Sequence, residues 1–352
     1  MEYMMLKDVC AINMGQSPDS DSYNDNGEGV PFFQGNADFG ERYPVTRKWC
    51  SAPTKMAAPE DILISVRAPI GAMNYAKEEC CIGRGLAALT PDKARVSPEF
   101  IFWLLKGKNA ELNSKGTGST FKAIGRKVLE ETMVPDIPLE KQLEYSEALE
   151  KVYSVIQMRR EELQKLDDLI KARFVEMFGN KGENPNGYEE DTLGNLYKFQ
   201  YGKGNNIPED KGEYPCYGSN GIVGHHTEYN NEDSPIIGHI GAYAGIVNWG
   251  AGKHYVTYNG VMCKLKTDRV NPTYGFHLLQ QQDFNRVATK GGGQPFVSYG
   301  DLEAPIVVVP PIEVQEAYAT FADKVDKSKV AVQKALDETQ LLFDSLMQKY
   351  FG

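Results

Sequence analysis

The sequence lacks the features that membrane-spanning and secreted proteins require. Among its 352 residues there is no run of about 18 apolar residues, so it predicts no membrane-spanning helix. The N-terminal segment carries Asp8 where a signal peptide needs an apolar stretch, and no cleavage site follows. The six cysteines show no Cys-x-x-Cys spacing, so we expect reduced thiols rather than disulfides or a metal site. These absences predict a cytoplasmic protein that is not associated with a membrane.

Recognisable catalytic motifs are also missing. The five histidines form neither HExxH nor HxH, and there is no GxSxG elbow and no Walker loop. Asn184-Pro-Asn-Gly-Tyr188 is not the Asn-Pro-Pro-Tyr with which amino-methylating DNA enzymes clamp a flipped base. The carboxylates are scattered among charged faces. The sequence therefore predicts no catalytic residues, no metal and no cofactor in this chain. Its net charge of −10 argues mildly against indiscriminate nucleic-acid binding, although net charge says little about local patches.

An internal repeat organises the chain. Residues 138–179 match residues 311–352 without a gap, at an offset of 173, and 10 of the 42 paired positions are identical. Both copies open with Pro-[Leu/Ile]-Glu-x-Gln and close with Phe-Gly. Shorter matches with small gaps link the preceding segments, for example Pro31–Asn36 with Pro215–Asn220. The chain thus contains a globular unit and a following segment, each present twice.

The two matched segments are predicted to be long helices. Each begins with a proline, where a missing N–H costs nothing, and carries a glutamate in its first turn. Apolar residues recur along each in alternating steps of three and four, which predicts a heptad seam. The seam residues are Leu149, Val152, Ile156, Leu163, Leu166, Ile170, Val325, Val332, Leu336, Phe343 and Leu346. We expect the two helices to pair with each other; packing of each on its own globular unit is the alternative.

The globular units are predicted to mix strands and helices. Short β-rich runs bounded by Gly and Pro, such as 61–66 and 255–265, predict strands, and a helix is expected in each unit at about 98–107 and 272–282. Because strands and helices do not alternate regularly, the pattern argues against a doubly wound parallel sheet, and we predict the α+β class with a curved mixed sheet in each unit. The predicted segments are globular unit 1–137, helix 138–179, linker 180–186, globular unit 187–310 and helix 311–352.

A basic segment rich in hydrogen-bond donors precedes the first long helix. Six basic residues and one acidic residue lie between Lys106 and Lys127, and the second repeat has no acidic residue from 284 until Asp301. Glycine N–H groups, hydroxyls and cations suit phosphate oxygens, although a solvated flexible loop is the alternative. The candidate phosphate contacts are Lys115, Thr117, Ser119, Thr120, Lys122, Arg126 and Lys127 in the first repeat and Arg286, Lys290 and Gln294 in the second.

Two polar turns and two strand ends are candidate base readers. Glutamine and asparagine can bind adenine through two hydrogen bonds, and arginine can bind guanine in the same way. Arg67 and His239 lie near-equivalently after the isoleucine-rich strands of the two repeats. The candidate base contacts are Gln34, Asn36 and Arg67 in the first repeat and Ser219, Asn220 and His239 in the second. An ordinary turn is the alternative for the two asparagine sites.

The duplicated unit, followed each time by a long helix with this opening and closing sequence, resembles the specificity (S) subunit of type I restriction–modification systems. The resemblance covers essentially the whole chain, and the helices are its most specific part. The Gly-Ser-Thr-Phe-Lys sequence at 118–122 supports it, whereas the second repeat departs from that pattern with Gly-Gly-Gly-Gln-Pro-Phe at 291–296.

The resemblance implies that the chain has no catalytic activity of its own. Each globular unit would be a target recognition domain that reads one half of a bipartite, asymmetric site in double-stranded DNA. The helices would pair antiparallel as a spacer, related by a pseudo-two-fold axis, and dock two methyltransferase (M) subunits. Those subunits would bind S-adenosylmethionine, and ATP- and magnesium-dependent restriction (R) subunits would join for cleavage.

Two other interpretations stay open at this point. One is a DNA adenine methyltransferase or nuclease whose motifs are not recognisable in the sequence. The other is a scaffold protein held together by the helical pair, with no role on DNA.

Overall fold

The chain folds into two units, each built from strands and helices. The structure is a computed structural model that describes residues 2–118, 122–204, 212–288 and 293–352. Unit 1 comprises Met1–Arg159 and Ala335–Gly352, and unit 2 comprises Arg160–Lys334. Both unit boundaries fall inside the long helices, so each long helix contributes one half to each unit.

The first half of the chain supplies most of unit 1. Its strands, β1 to β11 in chain order, are Tyr3–Met5, Cys10–Met14, Tyr23–Asn24, Val30–Phe33, Trp49–Cys50, Met56–Ala57, Ile62–Ser65, Met73–Tyr75, Cys80–Ile82, Leu86–Pro91 and Met133–Pro135. Its α-helices, α1 to α4, are Pro98–Gly107, Asn109–Ser114, Arg126–Glu130 and Leu139–Phe178. Three short 3-10 helices are Leu6–Asp8, Ser20–Ser22 and Asn36–Asp38.

The second half of the chain supplies unit 2. Its strands, β12 to β19, are Glu189–Thr192, Tyr197–Tyr201, Tyr214–Gly218, Gly221–His226, Asn231–Gly238, Val247–Val256, Gly260–Leu265 and Ile306–Val309. Its α-helices, α5 to α9, are Leu193–Leu196, Pro272–Gln281, Phe284–Val287, Tyr299–Glu303 and Ile312–Phe351. The two long helices, α4 and α9, match the predicted segments to within one residue at each end.

The sheets of the two units repeat the same strand pairings. In unit 1 the order β2-β10-β7-β8 is antiparallel, and a second sheet has the order β3-β5-β4-β9-β6. Unit 2 joins the equivalent strands into one sheet, β13-β18-β16-β17-β14-β15, because β17 is continuous where unit 1 has β8 and β9. The two parallel pairings correspond as well: Phe33 pairs with Ile82, and Tyr217 with Val256. This mixed arrangement confirms the predicted α+β class.

Equivalent apolar positions fill the core beside these strands. In unit 1, Phe33, Leu63 and Ile82 belong to one buried cluster, and each is at most 4% exposed. In unit 2, Tyr217, Ile236 and Val256 form the matching cluster. Burying one such side chain stabilises a fold by about 1.5–3 kcal/mol. Burial of these equivalent apolar side chains therefore stabilises the same strand pairing in both units.

A buried glutamine near the start of each long helix explains the repeated Pro-x-Glu-x-Gln sequence. The Gln142 side chain accepts a hydrogen bond from the Ser97 backbone N–H (3.0 Å) and donates to the carbonyls of Arg95 (3.1 Å) and Ile137 (2.9 Å). It is 0% exposed. These bonds tie the first turn of α4 to the residue that caps α1, because the Ser97 hydroxyl accepts from the Phe100 N–H.

Gln315 makes the same three bonds in unit 2. Its side chain accepts from the Asn271 N–H at 2.9 Å and donates to the carbonyls of Arg269 (2.9 Å) and Pro310 (2.7 Å). Asn271 in turn caps α6 through its own side-chain oxygen. The duplication thus extends to a side-chain network of identical connectivity.

The helix halves within unit 1 run antiparallel. Near the start of α4, the Tyr145 ring stacks on Tyr350, near the end of α9, with 3.9 Å between ring centroids. Two turns further along α4, Tyr153 lies 6.1 Å from Phe343, two turns earlier on α9. The last helical residue, Phe351, packs 5.5 Å from Phe100 of α1.

The helix halves within unit 2 run antiparallel as well. The Lys329 ammonium lies 2.6 Å from the Asp167 carboxylate, and Phe174 packs edge-on against Tyr318 at 5.4 Å. Phe178, which ends α4, contacts Tyr274 and Tyr318. The antiparallel pairing expected from the resemblance is therefore present in each unit.

The predicted heptad seam is the buried side of both helices. Seven of the eleven seam residues are buried and the other four are half-buried. The buried ones are Leu149, Ile156, Ile170, Val325, Val332, Leu336 and Phe343. In unit 2, Ile170 and Val325 share their cluster with core residues of the globular part, so the helices pack both on each other and on the unit.

The cysteines behave as the sequence predicts. All six lie in the described ranges, are buried and form no disulfide. Burial raises the pKa of the Cys10 and Cys80 thiols to about 12, so neither is a ready nucleophile at neutral pH. Among the described residues, no helix combines the length and apolar character that a membrane span requires. The cytoplasmic location stays a prediction.

Candidate nucleic-acid interface

In unit 1, backbone hydrogen bonds hold the basic segment against the end of strand β7. The Ala68 N–H donates to the Lys122 carbonyl (3.0 Å), and the Ile124 N–H donates to the Val66 carbonyl (2.9 Å). Arg67 and Ala123 face each other in the antiparallel bridge between them. We call this pairing the backbone clamp. It places the exposed side chains of Arg67 and Lys122 on adjacent chain segments.

Further backbone bonds extend the clamp to the first polar turn. The Val66 N–H donates to the Gly85 carbonyl (2.9 Å), and the Gly85 N–H donates to the Gln34 carbonyl (3.2 Å). Arg84 precedes Gly85 in the turn between β9 and β10, and its side chain is exposed. Gln34, Arg67, Arg84 and Lys122 therefore lie on chain segments joined edge to edge, which we call the unit 1 edge.

Asn36 lies beside this edge in a tight turn. It begins the 3-10 helix that follows β4 and is half-buried. The Asp38 carboxylate accepts from the Gln34 N–H at 2.8 Å, which fixes the turn. The structure thus brings Gln34, Asn36, Arg67 and Lys122 together, as candidate contacts on one end of unit 1.

The remaining basic candidates of unit 1 have carboxylate neighbours. Lys115 lies 2.6 Å from Glu111, Arg126 3.4 Å from Glu130, and Lys127 3.7 Å from Glu131. The hydrogen bond from Lys115 is the main cause that lowers the pKa of Glu111. All three pairs are solvent-accessible, so each is worth at most about 1 kcal/mol and can exchange for a phosphate.

Two of the candidates also help to hold the clamp in place. The Arg126 guanidinium donates to the Ile12 carbonyl of β2 at 2.7 Å, which ties α3 to the sheet. Thr117 exchanges two backbone hydrogen bonds with Ala123, on either side of residues 119–121. Ser119 and Thr120 lie outside the described residues, as does Lys290 of the second repeat.

Unit 2 contains the same backbone clamp at the same offset of 173. The Gly241 N–H donates to the Pro295 carbonyl (2.8 Å), and the Val297 N–H donates to the His239 carbonyl (2.9 Å). Ile240 and Phe296 form the bridge that Arg67 and Ala123 form in unit 1. The residues that form the clamp differ between the two units, but the backbone hydrogen bonds are the same. The clamp therefore belongs to the repeated backbone fold.

The clamp gives the register behind the near-equivalence of Arg67 and His239. His239 occupies the position of Val66, one residue earlier, because its N–H and carbonyl make the same two bonds. In extended chain, a shift of one residue reverses the direction of the side chain. Arg67 is accordingly exposed, whereas His239 is 6% exposed, with Nδ1 3.1 Å from the Tyr258 carbonyl. That His239 contacts DNA stays a prediction.

The other unit 2 candidates are accessible. Ser219 and Asn220 form the two-residue turn between β14 and β15, and Asn220 is exposed. Gly221 follows with a φ of +86°, a conformation that favours glycine. Arg286 on α7 and Gln294, next to the clamp, are also exposed. Their binding roles stay predictions.

Sequence reasoning missed Arg84 and a cluster of rings in unit 2. Tyr201 stacks on Tyr299 and packs at a tilt against His239, each at 4.2 Å between centroids, and Tyr258 meets His239 edge-on at 5.0 Å. Tyr258 and Tyr299 remain 44% and 37% exposed. The signal for Arg84 was an arginine between two glycines; the rings lie far apart in sequence and gave none.

Metal chemistry has no evident place among the described residues. In these ranges no three His, Cys, Asp or Glu side chains converge as a metal-binding group. The expectation that this chain holds no cofactor stays a prediction.

Comparisons with known proteins agree with this architecture. The family model for the type I restriction modification DNA specificity domain matches residues 1–168 and 185–339. The MjaX specificity subunit of Methanocaldococcus jannaschii is 44% identical over 156 residues, covering 44% of this chain and 37% of that protein. The EcoprrI specificity subunit of Escherichia coli is 34% identical over 142 residues, covering 38% of this chain and 35% of that protein. These alignments span little more than a third of either relative.

A solved structure extends the likeness of the fold to the whole chain. The crystal structure of the type I restriction–modification S subunit from M. genitalium superposes with a TM-score of 0.65, covering 100% of this chain and 96% of that one at 16% identity. At that identity the likeness concerns the fold alone. The family model, in contrast, matches most of the sequence, in two copies that correspond to the two repeats. The chain therefore belongs to the family of type I restriction modification DNA specificity domains.

Proposed function

We propose that this chain is the DNA-recognition subunit of a type I restriction–modification complex. Each unit would read one half of a bipartite, asymmetric site in double-stranded DNA, and the chain would catalyse no reaction itself. The observation that carries the proposal is the backbone clamp, which occurs once in each unit and presents accessible donors beside it. A duplicated reading surface suits a target made of two separate halves.

The chemistry of the unit 1 edge supports DNA as its ligand. Arg67, Arg84 and Lys122 offer cations for phosphates or for guanine, and Gln34 offers an amide that can pair with adenine. The edge is formed by backbone bonds, so these side chains are not needed to hold the fold. They are available to a ligand.

The partner subunits form the second part of the proposal. Two M subunits would dock on the long helices and bring S-adenosylmethionine, and R subunits would bring ATP and magnesium. Support comes from large apolar side chains that the helices leave exposed outside the seam; these are Leu139, Leu143, Met158 and Leu169 on α4 and Val330, Leu341 and Leu342 on α9. Val330 and Leu341 are 71% and 70% exposed, so each is largely accessible to a partner.

Methylome sequencing tests the proposal directly. A host carrying the chain together with its cognate methyltransferase should show methylated adenines in one bipartite motif, which disappear when only this chain is deleted. If the same motif persists without the chain, sequence recognition lies elsewhere and the proposal is wrong.

A binding measurement separates the proposal from the enzyme alternative. Calorimetry with S-adenosylmethionine should give no heat of binding for this chain alone and a clear one for the complex with M. Measurable binding by the chain alone would favour a methyltransferase. Copurification of M should fall for Leu341→Glu and remain for Gln164→Glu, a change at an exposed polar position of α4.

A further inference from the structure

We propose that, at equivalent positions, the two units hold DNA by different means: unit 1 through cations, and unit 2 through the exposed tyrosines of its ring cluster. This rests on the proposed function and adds which side chains of unit 2 contact the duplex. The argument comes from four positions that the repeated backbone makes equivalent.

Two of these positions belong to the backbone clamp. Arg67 and Ile240 occupy the same place in the clamp bridge of their units. Lys122 and Pro295 supply the carbonyl that accepts from the same strand-end N–H. At both places a cation in unit 1 is replaced by an uncharged residue in unit 2.

The other two positions carry a cation in unit 1 and an exposed tyrosine in unit 2. Arg84 and Tyr258 lie in the turn before the equivalent strands β10 and β18. The Arg84 N–H donates to the Ser17 hydroxyl, and the Tyr258 N–H donates to the Gly204 carbonyl. These acceptors lie three residues after the ends of the equivalent strands β2 and β13. Arg126 and Tyr299 are the first residues of α3 and α8, helices of five residues each.

The side chain at the start of each short helix also makes a hydrogen bond to the backbone of the first sheet strand. The Arg126 guanidinium donates to the Ile12 carbonyl in β2, and the Tyr299 hydroxyl accepts from the Tyr201 N–H in β13 at 3.1 Å. Both side chains therefore lie against equivalent strands. A cation in unit 1 thus stands where unit 2 has an aromatic ring.

The tyrosine cluster suits the apolar parts of a duplex. Tyr201, His239, Tyr258 and Tyr299 pack ring against ring in one group, so each ring already has part of its freedom restricted before a ligand covers it. Ring edges can contact thymine methyl groups and deoxyribose, and phenol hydroxyls can donate to phosphate or base oxygens. None of these contacts releases a counterion, whereas each cation on a phosphate does.

The test measures affinity against salt for the full chain, with a fluorescent duplex that carries the motif found by methylome mapping. Tyr258→Ala should weaken binding at least about fivefold at every salt concentration and leave the slope of log K against log salt unchanged. Arg84→Ala should reduce that slope by about 0.9. Tyr229→Ala, at a tyrosine that is 46% exposed and packs on Tyr214 instead, is the matched control and should bind as the parent does.

A second variant keeps the proposal testable if Tyr258→Ala destabilises unit 2. Tyr258→Arg places at the exposed turn the residue that unit 1 has there, and it should steepen the slope by about 0.9. Unchanged affinity in Tyr258→Ala, or an unchanged slope in Tyr258→Arg, overturns the inference while the proposed function stands. If the parent chain shows no preference for the mapped motif, the proposed function fails and the inference fails with it.

Discussion

Replacing Gln142 by alanine should destabilise unit 1 through three hydrogen bonds that no other group can restore. The side chain is 0% exposed, so the groups it leaves behind are shielded from bulk solvent. Those groups are the Ser97 N–H, 3.0 Å away, and the carbonyls of Arg95 and Ile137 at 3.1 and 2.9 Å. One stranded buried donor alone costs about 1–3 kcal/mol, and carbonyls with a second lone pair cost less.

The expected loss is about 2–4 kcal/mol in the free energy of unfolding. For a unit of this size, each kcal/mol lowers Tm by about 2–4 °C, so the variant should melt roughly 5–15 °C earlier. Differential scanning calorimetry resolves this. Gln315→Ala should produce a similar loss in unit 2. Gln164→Ala is the matched control on α4, because that side chain makes one exposed bond to Asp168, and it should cost less than 0.5 kcal/mol.

Glutamate at position 142 gives the prediction a pH dependence. One carboxylate oxygen would still accept from the Ser97 N–H. The other oxygen would face the carbonyls of Arg95 and Ile137, to which the Gln142 amide donates in the parent protein. Repulsion and burial should raise its pKa in the folded state above the ordinary value of about 4.3. The penalty should therefore be small below pH 4 and grow as the pH rises toward the folded-state pKa. A loss under about 1 kcal/mol for Gln142→Ala, or a pH-independent Gln142→Glu, would refute the reasoning.

Three further predictions concern DNA. Changing Lys122, Arg126 and Lys127 together to alanine should reduce the salt slope by up to about 2.7, at 0.9 per contact, with target preference retained; an unchanged slope rejects the phosphate assignment. Replacing residues 187–310 with the matching unit of a relative should change one half-site in the methylome and leave the other; a change in both contradicts separate reading. Inserting four residues after Gln164 adds roughly 6 Å of helix and should lengthen the gap between half-sites by one or two base pairs. An active variant with an unchanged gap would show that the helices do not set the spacing.

The long helices could be predicted from the sequence because their signals are local. A proline opens each helix, glycine follows each at the end, and the heptad stripe between them has one period. The same reasoning could not place Gln142 or Gln315, since a polar residue in the first turn is usually solvated. The burial of Gln142 depends on Ser97, the residue that caps α1 about 45 residues earlier in the chain.

The arrangement of the candidate contacts could be predicted only in part, because it depends on strand register. The sequence pointed to Gln34, Arg67 and Lys122, which the clamp brings onto one edge; that they contact DNA stays a prediction. It matched Arg67 and His239 only approximately, and an offset of one residue matters in extended chain, where neighbours point to opposite faces. It also missed Tyr299, whose equivalence to Arg126 becomes evident only when α3 and α8 are compared in three dimensions.

The membership of residues 335–352 in unit 1 has a consequence for biosynthesis. During translation, the aromatic surface around Phe100 and Trp103 stays uncovered until Phe343, Tyr350 and Phe351 have been synthesised. These residues follow more than two hundred positions after the rings that they contact. Contacts so distant in sequence form slowly, because a long loop must close before they stabilise anything. The first unit to leave the ribosome is therefore the last to be completed, and until then its aromatic surface is a natural target for chaperones.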